Sequence, residues 1–265
     1  MRLATWNVNS IRARSEQIVA WLTRHQVDVL AIQETKCSDD RFPVMSFLAE
    51  GYDVALYGEG GYNGVAIASR VGLEDVHRGF DGQPVRAAGE PPEARALSAT
   101  CGGIRVWSLY APNGRSVDDP HYAYKLEWLA QLSAVTRLEL GHDPAAQIAL
   151  MGDFNVAPTD ADVWDPSYFE GRTHTTEPER AAFSEFLDAG LADSAAPFTS
   201  EPGTYTFWDY TAGRFVKNEG MRIDFALCSP ALDDRIHDAF IDRDARAATG
   251  ASDHAPLVLD ASDLS

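Results

Sequence analysis

The chain has 265 residues, of which 45% are hydrophobic, and a formal net charge of −18. This length and apolar content suffice to bury a large core, so we expect one α/β or all-β domain spanning residues 1–265. The charge argues against a protein that coats nucleic acid nonspecifically, because such binding requires a basic surface.

The amino terminus and the cysteines indicate a compartment. Residues 1–6 lack the features of a signal peptide, and the sequence has no apolar run of about 20 residues that would predict a membrane span. Cys37, Cys101 and Cys228 are far apart and lack a metal-binding spacing, which disfavours a disulfide framework and a zinc site. We therefore expect a protein of the reducing cytoplasm, with no membrane partner.

Short apolar runs of strand length recur along the chain. In order, they cover residues 3–8, 27–32, 65–68, 104–110, 148–151, 223–227 and 257–259. Several are apolar at nearly every position, which predicts strands that are covered on both faces. Residues 79–93 are rich in glycine and proline and predict a surface loop, not a linker, because strand-like sequence resumes at Arg95.

Three helical patterns lie between these strands. The first has an apolar stripe of Ile18, Trp21, Leu22 and His25, and the second has one of Tyr122, Leu126, Leu129 and Leu132. The third lies between Pro178 and Gly190, with Phe183, Phe186 and Leu187 facing inward. Strands outnumber helices, which favours layered sheets with outer helices over a regular alternation of the dinucleotide-binding kind.

Polar residues that can bind a cation or a phosphate stand directly at the strand ends. They are Asn7, Glu34, Tyr110 with Asn113, Asp153 with Asn155, Asp224, and Asp253 with His254. Each one alone is more typical of a turn, because Asn and Asp commonly shape turns. The set as a whole favours a metal-dependent hydrolase of phosphodiester bonds, since binding sites form at strand ends.

Two of these groups suggest distinct chemistry. Asp153 and Asn155 would present a carboxylate that can take a proton from water beside an amide that can donate to a phosphate. The alternative for this pair is an Asx-type turn. Mg²⁺ needs only one or two carboxylates with several waters, so Glu34 helped by Asn7 and Asp253 would suffice, although a surface or capping Glu is the alternative.

His254 precedes the final strand. A lone histidine is more often a structural hydrogen-bond partner than a catalyst. Asp224, at another strand end, could hold one ring nitrogen of His254 and leave the other for a phosphate. The two residues together predict an electrostatic role for the imidazole.

Six separated motifs together resemble the exonuclease III family of apurinic/apyrimidinic endonucleases. They are Thr5-Trp6-Asn7-Val8-Asn9, Gln33-Glu34-Thr35-Lys36, Tyr110-Ala111-Pro112-Asn113-Gly114, Gly152-Asp153-Phe154-Asn155, Arg222-Ile223-Asp224 and Ser252-Asp253-His254-Ala255-Pro256. Their order and spacing match along nearly the whole chain. The resemblance implies an α/β fold, a four-layer sandwich of two packed mixed β-sheets flanked by helices.

The resemblance also implies a role for each residue. Glu34, with Asn7 and Asp253 close by, would bind Mg²⁺ or Mn²⁺, and Asp153 would orient or deprotonate the attacking water. The residues that would contact the scissile phosphate are Asn7, Asn113, Asn155 and Tyr110, and the role of Tyr110 as an alternative base is left open. His254, oriented by Asp224, would stabilise the charge that develops on phosphorus.

Members of this family turn an abasic nucleotide out of the duplex into a small apolar pocket. Thr206-Phe207-Trp208-Asp209-Tyr210 matches the aromatic stretch that forms part of it, which makes Phe207 and Trp208 candidates, with core packing as the alternative. Met221 stands where many relatives carry an aromatic residue. Arg115 could contact the DNA, at a phosphate or by insertion into the base stack.

The implied activity is hydrolysis of the phosphodiester 5′ to an abasic site in duplex DNA, together with 3′→5′ exonuclease and 3′-phosphodiesterase or phosphatase action on blocked 3′ ends. We take a monomer as the default. One alternative is a phosphatase or phosphodiesterase of the same superfamily acting on a small or lipid phosphate, which the charge of −18 favours. Another is a non-catalytic DNA-binding scaffold, which would be expected to lack Glu34, Asp153 or His254.

Overall fold

The computed structural model describes residues 1–263 and contains two six-stranded β-sheets. The strands are β1 (Arg2–Asn7), β2 (Val29–Gln33), β3 (Asp53–Tyr57), β4 (Val65–Ser69), β5 (Glu74–Arg78), β6 (Ala96–Cys101), β7 (Ile104–Tyr110), β8 (Ile148–Asp153), β9 (Ala192–Asp193), β10 (Asp224–Cys228), β11 (Ile236–Ile241) and β12 (Leu257–Ala261). The first sheet has the order β11-β12-β1-β2-β4-β3, and the second has the order β5-β6-β7-β8-β10-β9. Both mix parallel and antiparallel pairs.

The helices are α1 (Ile11–His25), α2 (Val44–Leu48), α3 (Pro120–His142), α4 (Pro166–Phe169), α5 (Glu177–Asp188), α6 (Arg214–Lys217), α7 (Pro230–Asp233) and α8 (Arg243–Ala247). Of these, α1, α2 and α8 cover the outer face of the first sheet, and α3 and α5 cover that of the second. Among residues 1–263, none of these helices is both long enough and apolar enough to cross a membrane.

Three clusters of the apolar core fill the spaces between four layers. The central part lies between the sheets, where alternate strand residues such as Val29 and Met151 are fully buried. Trp21 of α1 packs on the outer face of the first sheet, and Trp128 of α3 packs with Phe225 on the outer face of the second. The four-layer α/β sandwich is therefore confirmed, and it explains why several strands are apolar on both faces.

Two expectations about secondary structure need correction. Leu187 does not face inward, because Phe183 and Phe186 fill the contact between α5 and the second sheet while Leu187 lies at its rim, 41% exposed. The apolar runs also miss β3, β5, β9 and β11, which are the edge strands of the two sheets, and all of β5 is exposed. Edge strands that face solvent carry no apolar run to mark them.

Strand pairing brings the predicted site residues to one edge of the sandwich. Parallel pairing sets Asn7 at the end of β1 opposite Gln33 at the end of β2, and Tyr110 at the end of β7 opposite Asp153 at the end of β8. Strand β10 runs antiparallel to β8 and begins with Asp224 opposite Asp153. Residues that are far apart in sequence therefore meet here.

Gly152 makes this arrangement possible, because β8 passes very close to β7. A Cβ atom at Gly152, whose φ is +152°, would lie 2.0 Å from the Leu109 carbonyl oxygen and 2.9 Å from its nitrogen. We expect Gly152→Ala to lower the free energy of unfolding by about 3 kcal/mol or more, measured by urea denaturation, because backbone in a buried strand cannot move aside without breaking its pairing.

Gly141→Ala in α3 provides the control, since no atom lies within 4 Å of the position that the added methyl group would occupy. That change should be neutral or should stabilise the protein by up to about 1 kcal/mol, because Ala is the better helix former. Equal unfolding free energies for the two variants would contradict the steric account of Gly152.

Candidate active site

Three side chains that can bind a metal ion converge at this edge. Glu34 follows β2, Asp153 ends β8, and His254 lies shortly before β12. One potential ligand atom of each lies within 4.8 Å of those of the other two. Glu34 has a φ of 53°, a conformation that non-glycine residues adopt rarely and that is concentrated at functional sites.

Asn7 links the two carboxylates of this cluster. Its Nδ2 donates to Glu34 Oε1 at 2.8 Å and to Asp153 Oδ2 at 2.9 Å. Its Oδ1 accepts from the backbone N–H of Asn9 at 3.1 Å. Asp253 lies at the border of the cluster, where its Oδ1 accepts from Asn9 Nδ2 at 3.0 Å. Of the three residues expected to hold the metal, Glu34 therefore lies within the cluster, and Asn7 and Asp253 flank it.

Lys36 keeps Glu34 in its charged form. The Lys36 ammonium lies 2.6 Å from Glu34 Oε2. Burial alone would raise the pKa of Glu34, but Lys36, and to a smaller extent Asn7, outweigh that effect and lower it. The ionised carboxylate is the form that a metal ion requires.

A buried His–Asp pair stands behind the cluster. His254 Nδ1 and Asp224 Oδ2 are 2.8 Å apart, and their side chains are 4% and 1% exposed. Burial disfavours the imidazolium, yet Asp224 outweighs it and raises the pKa of His254 to about 10. His254 is therefore a cation at neutral pH, a form that cannot bind a metal, so the carboxylates of Glu34 and Asp153 are the candidate ligands of the cluster. Its Nε2 lies 3.8 Å from Asp153 Oδ2.

Asp153 is a fully enclosed acid with an unusual pKa. Burial raises the pKa of Asp153 to about 7, Asp224 and Glu34 add to this effect, and His254 opposes it. Its Oδ1 accepts from the backbone N–H of Asn155 at 2.9 Å. A carboxyl group that titrates near neutrality is suited to take a proton from a nucleophile.

Two asparagine amides and a histidine form the next part of the site. Asn113 Nδ2 donates to Asn155 Oδ1 at 3.1 Å, and Asn155 Nδ2 donates to the Ala111 carbonyl at 2.9 Å. His174 Nε2 lies 3.2 Å from both Asn155 Oδ1 and Asn113 Nδ2. Burial, assisted by Lys125, lowers the pKa of His174 to about 3, so its ring is neutral.

Tyr110, at the end of β7, lines the same cavity as Asp153. Burial, together with the neighbouring Glu34, raises the pKa of Tyr110 well above its usual value. Its side chain is therefore a neutral phenol at physiological pH, able to donate a hydrogen bond.

A cavity of about 400 Å³ opens beside the acidic cluster. Trp164, Phe207, Met221 and Ile223 contribute an apolar wall. The Phe207 ring lies 4.9 Å from the His254 ring, measured between centroids. The space next to the reactive groups is thus bounded by flat apolar surface, as is typical of sites that select a small or unusual nucleotide.

Three residues expected to bind substrate lie outside the cavity lining. Asn7 is fully buried, and both protons of its Nδ2 are donated to the carboxylates of Glu34 and Asp153. Trp208 is 1% exposed and packs against Phe215 in the core, with Nε1 donating to Asn218 Oδ1 at 3.1 Å. Arg115 projects from the surface, 61% exposed, with Nη1 at 3.7 Å from Asp119 Oδ2. Phe207, not Trp208, is the aromatic residue of that stretch which faces the cavity.

The cavity also contains residues that the motifs did not reveal. Arg172 and Arg214 line it, and their guanidinium groups lie 4.2 Å and 4.8 Å from the Tyr168 ring centroid. They supply positive charge at the cavity although the protein as a whole is acidic. The net charge of a chain does not show such a local excess of one sign. Trp164 and His174 were missed as well, because each is a single residue in a loop and only the fold brings it to the site.

Removal of the Glu34 carboxylate should weaken metal binding. We expect Glu34→Gln to raise the dissociation constant for Mn²⁺, measured by isothermal titration calorimetry, by at least about tenfold, because a neutral amide replaces a charged ligand. Glu219→Gln is the matched control, since Glu219 lines the same cavity but pairs with Arg214 at 3.1 Å. Equal Mn²⁺ affinity in the two variants would place the metal elsewhere.

Comparison with known proteins places this arrangement in a family. Residues 4–254 match the model of the Endonuclease/Exonuclease/phosphatase family. Exodeoxyribonuclease III of Haemophilus influenzae is 31% identical over 272 aligned residues, which cover 97% of this chain and 98% of that protein.

Solved structures of relatives agree in fold along the chain. A 3′ phosphatase from Neisseria, solved with a product DNA hairpin, is 37% identical with a TM-score of 0.93, and the match covers 99% of each chain. An AP endonuclease from Archaeoglobus fulgidus is 36% identical with a TM-score of 0.92, covering 98% of this chain and 99% of that one.

The family match includes the segments that carry Asn7, Glu34, Asp153, Asp224 and His254. An acidic cluster able to hold a metal ion lies where these segments meet. The chain therefore belongs to the Endonuclease/Exonuclease/phosphatase family, as a nuclease of its exonuclease III and AP endonuclease branch.

Proposed function

We propose that this chain is a Mg²⁺-dependent DNA repair nuclease that hydrolyses the phosphodiester 5′ to an abasic site in duplex DNA. It would also remove nucleotides from 3′ ends and clean blocked 3′ ends. The observation that carries the proposal is the enclosed cluster of Glu34, Asp153 and His254 beside a cavity with an apolar wall. The cluster suits phosphate hydrolysis, and the wall suits a nucleotide that lacks its base.

The acidic cluster fits a divalent metal. Glu34 is ionised and its side chain is largely buried. Its carboxylate and that of Asp153 both accept from the Asn7 side-chain amide, which holds the two groups side by side. Mg²⁺ requires few carboxylates, and Mn²⁺ accepts the same oxygen ligands. When bound, the ion would supply positive charge to the leaving 3′ oxygen.

The chain's own residues would perform the remaining steps. Asp153, with its raised pKa, would take a proton from water as that water attacks phosphorus. His254, held as a cation by Asp224, would donate from Nε2 to a phosphate oxygen on which charge develops. Asn155 would donate to the same phosphate group.

Further contacts would orient the phosphate before attack. Asn113 carries an amide donor in the cavity lining, and Tyr110 carries a neutral hydroxyl. Asn7 would act from behind them, by holding the carboxylates of Glu34 and Asp153. Such groups need no proton transfer of their own, so they accelerate the reaction by holding geometry. The apolar wall that includes Phe207 and Met221 would receive the deoxyribose of the abasic nucleotide and exclude water.

The relatives do not separate internal abasic sites from 3′ ends as the main substrate, since the 3′ phosphatase and the AP endonuclease are 37% and 36% identical to the chain. One experiment compares the two. Purified protein is given a 5′-labelled duplex with a single abasic site, the undamaged duplex, a duplex with a 3′ phosphate, and an inositol phosphate. Rates are measured with Mg²⁺ and with EDTA.

We expect turnover of the two damaged duplexes with Mg²⁺, no incision of the undamaged duplex, and loss of all activity in EDTA. Faster release of phosphate from the inositol phosphate would support the small-substrate phosphatase instead. Binding of the abasic duplex without any turnover would support the scaffold. Activity that persists in EDTA would contradict the metal dependence.

We also infer a monomer of one domain that acts in the cytoplasm. The site draws on residues from Asn7 to His254 within a single chain, so no partner is needed to complete it. Both sheets contribute to it, which supports one domain over residues 1–265.

A further inference from the structure

A buried ion pair lies directly behind the asparagine amides of the site. Lys125 Nζ on α3 is 2.5 Å from Glu179 Oε1 on α5, and both side chains are 0% exposed. Lysine and glutamate are almost never fully buried unless they are paired. The mechanism above assigns no role to either residue.

The Lys125 ammonium binds the main chain of the residues that carry those amides. It donates to the Asn155 carbonyl oxygen at 2.6 Å and to the Asn113 carbonyl oxygen at 3.3 Å. Together with Glu179, these acceptors use the three protons of the ammonium. The backbone of both asparagines is thus held by a buried ammonium that does not line the cavity.

Thr173 extends this contact to the histidine of the site. Its hydroxyl lies 3.1 Å from the Asn113 carbonyl oxygen and 2.6 Å from Glu179 Oε1, and the next residue is His174. One buried cluster of Lys125, Thr173 and Glu179 therefore anchors the three segments whose side chains meet at the cavity edge.

The geometry held in this way is unusual and tightly packed. Asn155 has a φ of 53°, in the left-handed region. A methyl group at Gly114, next to Asn113, would lie 2.6 Å from Thr173 Oγ1 and 3.2 Å from Lys125 Cδ. The loop after β7 thus rests directly on the cluster, and a shift of the ammonium would move it.

Stability alone gives no reason for a buried charge at this place. An ion pair removed from water costs desolvation energy, and an apolar pair of similar size is commonly as stable or more stable. The same two helices are also joined at the surface by Arg137 and Glu185, 2.9 Å apart, where no site residue is touched. The two ion pairs differ in one respect, which is that the buried ammonium also binds the backbone of Asn113 and Asn155.

We propose that Lys125, with Glu179 and Thr173, is a positioning group that sets the amides of Asn113 and Asn155 for the scissile phosphate. This inference rests on the proposed function, because it assumes that the amides grip phosphate. A displacement of about 1 Å at such a group costs on the order of a hundredfold in rate.

The test uses the double variant Lys125→Met with Glu179→Gln. It removes both charges at nearly constant volume and keeps the capping box of α5, in which Glu179 accepts from the Thr176 amide and for which glutamine is equally suited. We expect kcat on the abasic duplex to fall by about 10- to 100-fold, with KM changed by less than about threefold. The affinity for Mn²⁺ should not change, since Glu34 is not touched.

Arg137→Met with Glu185→Gln is the control and should keep the wild-type kcat. A double variant of Lys125 and Glu179 that melts near the wild-type temperature and keeps the wild-type kcat would overturn the proposal. So would an equal loss of kcat in the control. If the buried double variant does not fold, the kcat of Thr173→Val tests the proposal instead. This variant keeps the ion pair and should still lower kcat by about 3- to 10-fold, and an unchanged kcat would contradict the proposal.

Hydrogen exchange gives a result that does not depend on activity. Amides of residues 111–115 and 153–156 should exchange faster in the buried double variant than in the wild type, and those of β1 and β2 should not. If the wild type turns over neither damaged duplex, the proposed function fails, whereas faster exchange in these two segments would still support the positioning role. Unchanged exchange would contradict it.

Discussion

Asp153→Asn should lower kcat on the abasic duplex by at least about a thousandfold, because it removes the proposed acceptor of the proton of water while retaining its shape. Asp153 is 2% exposed and lies within reach of both Asn7 and His254. Single-turnover incision at saturating metal and DNA measures the effect on the chemical step. A rate within tenfold of the wild type would show that another group, such as Tyr110, activates the water.

The same variant should be at least as stable as the wild type. Burial raises the folded pKa of Asp153 to about 7, above the value near 4 in unfolded chains. Its protonated form thus favours the folded state at low pH, and this stabilisation is lost as the pH rises through about 7. Asparagine remains neutral, so thermal unfolding of Asp153→Asn at pH 8 should give a melting temperature equal to or higher than that of the wild type.

Asp209→Asn, in the same cavity, is the control for the loss of activity. It should keep the wild-type activity, because the Asp209 carboxylate is bound to Thr211.

His254→Gln should lower kcat by about 100- to 1000-fold, because a neutral amide replaces the imidazolium that we propose to stabilise the phosphate. It should also destabilise the protein, since the Asp224 carboxylate, 1% exposed, loses its cationic partner. Adding Asp224→Asn should restore the melting temperature and leave kcat at the level of His254→Gln. This non-additivity follows because Asp224 acts through the histidine.

The exposed His237 on β11 gives a control for the loss of an imidazole, and His237→Gln should change neither kcat nor stability. An additional loss of rate when Asp224→Asn is combined with His254→Gln would contradict the dependence of Asp224 on His254. Wild-type kcat in His254→Gln itself would remove the histidine from the reaction.

Much of this edge of the sandwich could be predicted from sequence because its parts are local. β8 and β10 are apolar along their length, since sheets and helices cover both faces, and a polar residue at the end of each is conspicuous. Asp153 and Asp224 are such residues. Their meeting at one edge follows from parallel and antiparallel pairing, which the family resemblance implied and the registers show.

The missing parts depend on contacts that no local pattern encodes. Strand β5 is a solvent-exposed edge strand, and its composition is that of a loop. His174 reaches Asn113 across 61 positions of sequence, and Trp164 reaches the cavity from a loop between two short helical segments. Trp208 was predicted to bind substrate but is buried in the core, because an aromatic stretch does not reveal which of its rings faces the core.

The fate of the oxygen atom of water tests the central claim most directly. Incision of a duplex with one abasic site in ¹⁸O-enriched water with Mg²⁺ should place one ¹⁸O atom in the phosphate that stays 5′ to the abasic residue, and the upstream strand should end in a 3′ hydroxyl. Mass spectrometry of both fragments gives the answer. An upstream strand that ends in an unsaturated aldehyde, with no ¹⁸O in the phosphate, would mean elimination in place of hydrolysis and would contradict this account.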